Sequence, residues 1–283
     1  MNVSVIFSTY NSPAWLEKVL WGYECQTHRD FEIVIADDGS GEPTRQLIEK
    51  FKRESKLKIK HVWQEDDGFQ KSRILNKAIE AASGDYLVFS DGDCIPRHDF
   101  IAVHVANAQP GYFLSGGYFM LPLDTSKTIT REDVASGKSF DVKWLRANGL
   151  PSTYKTLKLT TSRFIAAFMT MITPTKATWN GHNSSGWKKD LVAVNGFNED
   201  MQYGGQDREL GERLMNKSIK GKQIRYYAIC IHLDHKRGYN TPESINKNRS
   251  IRNETRTQKK TWTVNGIVKK SSASIIDHAS TNG

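Results

Sequence analysis

The residues with the clearest chemical potential are acidic and follow apolar runs. Asp91, Gly92 and Asp93 come directly after DYLVFS, so two carboxylates fall within reach of one divalent cation, and hard oxygen ligands suit Mg2+ or Mn2+. Such an ion would neutralise a diphosphate leaving group. Aspartates flanking a glycine also occur in plain turns, and it is the position at a strand end that favours the metal reading. His232 and His235 close a later apolar run in IHLDH. A histidine beside carboxylates is a frequent ligand for Mn-like ions, and a histidine packed at a strand end is the alternative; His232, still within the run, is preferred.

A hydroxyl nucleophile has a very high pKa and needs a positioned carboxylate to take its proton. Asp207, in YGGQDREL, is the candidate base. Asp207 or Glu209 can also simply favour the positive end of a helix dipole, while Gly204 and Gly205 would let a substrate approach the backbone. Asp37 and Asp38 are placed to accept hydrogen bonds from a base or ribose, or to make an Asx turn into Gly39. Beyond the acidic loop QEDDG, which contains Asp67, Lys71, Arg73 and Asn76 could contact a diphosphate or sugar. Trp63, Trp179 and Trp187 are candidates for stacking on sugars or for the core.

These residues need a frame. NVSVIFS, FEIVIA, KIKHVW and DYLVFS read as strands alternating with helical patterns, the signature of βαβ units and a mostly parallel α/β sheet, in which ligands collect at the carboxyl ends of strands. A helix is expected to about Gln26, another over about 43–54, and a third in SRILNKAIEAAS. The segment 120–162 is polar and weakly periodic, which predicts an irregular insertion or a mobile loop. A short helix over 187–194, a glycine turn feeding a helix at GGQDREL, and one long strand at 222–233 follow.

The chain has 283 residues, 38% of them hydrophobic, enough for a large core. No run of about 18 apolar residues and no signal-peptide pattern is present, so a cytoplasmic protein, at most attached to a membrane face, is expected. Three cysteines, Cys25, Cys94 and Cys230, suggest neither a disulfide framework nor a cysteine-rich zinc site. The formal charge of +9 points to anionic partners. Basic residues accumulate after Asp234, predicting a domain over 1–240 and a basic extension over 241–283, partly helical and disordered at its Ser-rich end, with an anionic membrane surface as its partner.

Taken in order, SVIFSTYN, VIADDGS, the strand ending in DGD, GGQD before a helix, and IHLDH resemble the family 2 inverting glycosyltransferases of GT-A fold (the Rossmann-like nucleotide-diphospho-sugar transferase fold), with further likeness to galactosyl- and N-acetylgalactosaminyltransferase domains of bacterial polysaccharide synthases. The resemblance spans about residues 2–240. It implies a nucleotide-sugar donor, with a UDP-sugar expected, a glycan or glycolipid acceptor in polysaccharide or lipopolysaccharide synthesis, and Mn2+ or Mg2+ as cofactor. Thr9 and Tyr10 would border the nucleoside and Asp38, with Asp37, the uracil or ribose; Asp67, Arg73, Asn76, Asp91 and Gly92 fall on the donor side. Asp93 and Asp91 would be metal–diphosphate ligands, completed by His232 or His235. Asp207 would be the base, although Gln206 stands where the family usually has glutamate. TPTKATWNGHNSSGW implies Trp179, Gly181, His182 and Asn183, with Gly205, on the acceptor side. A nucleotidyltransferase is disfavoured because FSTYNSPAW is no phosphate loop, and a nucleic-acid-binding protein because no helix-turn-helix or zinc-finger pattern appears; no nucleic-acid partner is expected.

Overall fold

The computed structural model describes residues 1–235 and 241–269. The first part alternates strictly: β1 (Val3–Thr9), α1 (Pro13–Glu24), β2 (Glu32–Asp37), α2 (Glu42–Glu54), β3 (Lys58–Trp63), α3 (Lys71–Ala81) and β4 (Tyr86–Asp91). There follow β5 (Cys94–Pro96), α4 (Phe100–Asn107), β6 (Tyr112–Ser115), β7 (Gly117–Met120), α5 (Leu123–Thr128), α6 (Arg131–Ala135), α7 (Val142–Ala147) and α8 (Arg163–Ile172). The chain closes with β8 (Ser184–Trp187), α9 (Lys188–Ala193), α10 (Gln206–Asn216), β9 (Lys220–Gln223), β10 (Ile229–His232) and α11 (Pro242–Thr257).

Seven strands form one sheet in the order β3-β2-β1-β4-β8-β6-β9, in which β3, β2, β1 and β4 run parallel and β8 runs antiparallel to both its neighbours. Because side chains alternate across a strand, Val5 and Phe7 of β1 enter one core with Leu16 and Leu20 of α1, whereas Ile6 enters the other with Ile74 and Ile79 of α3. A parallel sheet buried on both faces is why these strands read as near-continuous apolar runs. A small second sheet, β5-β10-β7, sits beyond the carboxyl end of β4.

Two expectations change. The segment 120–162 is an ordered layer of short helices, not an irregular loop: Leu121, Ile129, Val134, Phe140, Leu145, Leu150 and Leu159 are buried. The Lys18 ammonium of α1 pins it by donating to the carbonyls of Ser126, Lys127 and Ile129 at 2.9, 2.8 and 2.7 Å. Helices of five or six residues are too short to display a period. The run 222–233 is not one strand either. A turn in which Tyr227 and Ala228 donate to the Ile224 carbonyl divides it into β9 and β10, which serve different sheets.

The basic C-terminal segment, as far as it is described, packs on α10. Asn248 donates to the carbonyls of Gln202, Tyr203 and Gly204, and Thr255 to Glu209. The Ser-rich end lies outside the described residues. At the centre, Arg213 is fully buried, makes a bidentate pair with Glu209, and donates to the carbonyls of Val194 and Gly196. Removing one member of such a pair leaves a buried charge alone, which costs about 3–5 kcal/mol. Arg213→Met is therefore expected to lower unfolding free energy in urea by that amount, and adding Glu209→Gln to recover part of it. A single variant within 1 kcal/mol of wild type would show that the network does not hold α10.

Candidate active site

Side chains from the ends of β1, β4 and β10 and the starts of α3 and α10 converge on one cleft of about 770 Å³. Thr9, Tyr10, Asp38, Asp91, Gly92, Asp93, His182, Asp207, His232 and His235 all line it. The backbone is drawn in tightly at Gly92: a Cβ there would lie 2.7 Å from the Ser8 carbonyl oxygen, so the turn between the two aspartates needs glycine.

Asp38 stands at the β2 end. Its carboxylate accepts from Gln64 Nε2 at 2.6 Å and from the Gln70 backbone at 2.9 Å, yet burial dominates and raises its pKa to about 6. Thr9 Oγ1 beside it is buried and has no hydrogen-bond partner among the described residues. Tyr10, half exposed, donates to Asp66 at 2.7 Å.

Asp91 receives a 2.6 Å hydrogen bond from Lys71 Nζ, a side chain only 17% exposed. Burial opposes the lysine's charge, but Asp91 and Asp207 more than offset it and hold the ammonium well above the usual lysine range. Asp93 faces the two histidines: Oδ2 accepts from His235 Nε2 at 2.9 Å, and Oδ1 lies 3.8 Å from His232 Nε2. Burial would raise the Asp93 carboxyl; the His235 hydrogen bond and the nearby positive groups instead hold it at about 2.

This corner fits a divalent cation. His232 Nδ1 donates to the Leu233 carbonyl at 3.0 Å, which leaves Nε2 as the ring nitrogen facing Asp93. A gap of 3.8 Å is too long for a hydrogen bond and matches the spacing of about 3–4 Å between two ligands that each lie about 2.1 Å from one ion. Cys94 Sγ is also close, but hard cations prefer oxygen and imidazole to sulfur.

Asp207 sits at the first turn of α10, whose cap Gly205 has φ +91°. Its Oδ1 is buried with no hydrogen-bond partner among the described residues, and burial raises its pKa against the pull of Lys71. Gly181 lies against it, where a Cβ would come within 3.0 Å of both carboxylate oxygens. Glu209, two residues on, is committed to Arg213, whereas Asp207 lines the cleft. His182 stacks edge-on against Tyr118, with ring centroids 4.4 Å apart, and burial lowers its pKa to about 4.

Several expected residues do not reach the cleft. Asp37 is fully buried and accepts from the Ser40 backbone and His61, bracing the loop that carries Asp38. Asn76 brackets Phe197 through both its backbone groups and donates to Glu199. Asn183 donates to the carbonyls of Gly117 and Ala228 and faces His104. Trp179 is completely buried against Phe89 and Phe113. Arg73 and Asp67 pair with each other at the surface, and Gly205 meets Arg252 of α11. Trp63 is half exposed and Trp187 packs on Tyr86, both away from the cleft. Residues not anticipated from the sequence line it instead, among them Trp15, Phe69, Tyr118, Tyr203 and Gln206. Only Tyr203 and Gln206, flanking Gly204 and Gly205, carried a signal.

A parallel sheet with acidic strand ends, an antiparallel continuation through β8 and β6, and a carboxylate at the start of α10 define a GT-A architecture. S. aureus TarS 1-349, solved in complex with UDP-GlcNAc, shares it at TM-score 0.60 and 18% identity, covering 92% of this chain and 69% of that one. The mannosyltransferase from Pyrobaculum calidifontis, solved with GDP-Man and Mn2+, gives 0.57 and 20%, covering 84% and 58%. The model of glycosyl transferase family 2 matches residues 4–168, and the chain belongs to that family. It is 31% identical over 225 residues to validoxylamine A glucosyltransferase of Streptomyces hygroscopicus subsp. jinggangensis, covering 75% of this chain and 51% of the relative. To hyaluronan synthase of Pasteurella multocida it is 28% identical over 238 residues, 76% of this chain and 23% of the synthase. The chain thus spans about half or less of the length of these curated relatives.

The raised Asp38 pKa has a testable sign. The native carboxyl keeps its proton up to about pH 6 whereas the unfolded one releases it near 3.8, so the stabilisation is present below about pH 4 and lost as pH rises through 6. The melting temperature of Asp38→Asn relative to wild type should therefore climb between pH 4 and 7. Parallel curves for the two proteins would contradict the shift.

Proposed function

We propose that this chain transfers a sugar from a nucleotide-sugar donor, most simply a UDP-sugar, to a hydroxyl of a glycan or glycolipid acceptor, with inversion, in the synthesis of a cell-surface polysaccharide or lipopolysaccharide. The observation that carries the reading is the uncommitted, buried oxygen of Asp207, which shares one cleft with the Asp93, His232 and His235 corner. One carboxylate is held ionised beside two histidines and another is raised by burial, the divergence expected when two acids serve different tasks.

In this reading the nucleoside lies along Thr9, Tyr10 and Asp38, with the orphaned Thr9 hydroxyl available to it. Asp93 with His232 and His235 would hold Mn2+ or Mg2+, which when bound supplies positive charge against the departing diphosphate. Lys71 orients Asp91 through its 2.6 Å hydrogen bond, and its charge also favours the basic form of Asp207. Asp207 accepts the acceptor hydroxyl's proton as that oxygen attacks the anomeric carbon from the face opposite the leaving group. Tyr118, Tyr203 and His182 also line the cleft and would exclude water from the sugar. Support for a metal and a nucleotide sugar comes from relatives of the fold solved with GDP-Man and Mn2+, or with UDP, GalNAc and Mn2+.

Asp207→Asn and Asp93→Ala should each lower transfer by about 10²-fold or more, since proton transfer by a positioned base contributes roughly that much or more. Asp207→Asn should still be stabilised by nucleotide in a thermal-shift assay, whereas Asp93→Ala should lose the Mn2+-dependent part of that stabilisation. A panel of nucleotide sugars, read as nucleotide release, identifies the donor. Turnover at the wild-type rate by either variant would refute the assignment.

A further inference from the structure

The helix α8 is amphipathic with its sides reversed. Phe164, Ile165, Phe168, Met171 and Ile172 recur at the spacing of one helical face, and that face is exposed, Phe164 at 90% and Met171 at 75%. On the opposite side Ala166 is buried, and Thr173 Oγ1 meets the Tyr226 hydroxyl at 3.0 Å. A surface helix of a globular protein normally turns its apolar stripe to the core. The preceding 3-10 turn, Tyr154–Leu159, adds the exposed Tyr154 and Leu157. An apolar surface this contiguous marks a place where something docks.

Charge selects the occupant. Between Asp141 and Asp190 the sequence contains no acidic residue, while Lys155, Arg163 and Lys176 fall just before, at the start of and just after α8. Arg225 joins them by donating to Thr175 Oγ1 at 2.9 Å. Burial, then the charges of Arg225 and Lys155, push the Lys158 ammonium below the usual lysine range, so these cations crowd one another. A second copy laid on this face about a twofold axis would set like charges together. Four of the described cations of the C-terminal segment are differently employed: Arg252 and Arg256 pair with Glu212, Lys260 with Glu254, and Lys269 with Glu199.

We propose that α8 lies in the interface of an anionic bilayer, with Phe164, Phe168 and Met171 at the acyl-chain boundary and the flanking cations among the headgroups. This docking requires no nucleotide and stands independently of sugar transfer.

Flotation of the full chain with vesicles of phosphatidylglycerol and phosphatidylcholine, without nucleotide or metal, tests the proposal. The protein should float with anionic vesicles and weaken as salt rises, and Phe164→Ser with Phe168→Ser should cut binding by about tenfold or more. Lys155→Gln with Arg163→Gln and Lys176→Gln should also reduce it, and neither set should shift the melting temperature, since the side chains are exposed. Equal flotation of wild type and the Phe variant, or equal binding to pure phosphatidylcholine, would overturn it. So would light scattering that finds a wild-type dimer which the Phe variant turns into a monomer.

Discussion

Everything in this molecule accommodates several carboxylates gathered in one largely buried cleft. Asp91, Asp93 and Asp207 repel one another and lose hydration there, and the fold answers with Lys71 between Asp91 and Asp207 and two histidines on Asp93. The partners are unequal, so the acids differ in state. Asp93 is held far down, while Asp207 is raised and keeps one oxygen uncommitted. Equal neutralisation of all three would leave a stable site with nothing poised to accept a proton.

Such a cluster survives only if its supports are rigid, which explains the polar residues buried just behind it. Asp37 braces the loop of Asp38, Asn76 ties α3 to the 197–199 turn, and Asn183 joins the backbones at Gly117 and Ala228. Arg213 and Glu209 fix α10 just beyond Asp207, and α11 closes over them through Thr255. Each is a fully satisfied network in a low-dielectric interior, where a missing partner would cost most. Their chemistry resembles that of site residues because both tasks need buried hydrogen-bonding groups.

That resemblance sets the limit on what the sequence reveals. The parallel half was legible because β1, β2 and β4 are apolar runs ending in Thr9, Asp37 and Asp91, and a strand end in such a sheet faces the ligand side. Asp38 and Asp93 were legible for the same reason, each following such a strand; Asp207 was legible at the opening of a helix and His232 at the end of β10. Asn76, Asn183 and Trp179 were not separable from ligand-binding residues, since only the tertiary packing tells a bracket from a contact. Tyr118 and Trp15 gave no signal because aromatic residues in a four-residue strand or a first helical turn look like core. The layer over 120–162 was hidden by the brevity of its helices, and the break before β10 by a continuous apolar run.

The formal charge of +9 does not describe the cleft, and the contrast constrains how a donor enters. Four aspartates, Asp38, Asp91, Asp93 and Asp207, outnumber Lys71 there, Lys71 is already engaged by Asp91, and His182, lowered to about 4 by burial, is neutral at pH 7. A nucleoside diphosphate is itself anionic, so its phosphates cannot lie against Asp91 and Asp93 unless positive charge arrives with them. A divalent cation on Asp93 and its histidines is the smallest group able to reverse the local sign. Under the proposed function, donor and cation are coupled ligands, each raising the affinity of the other by the same factor.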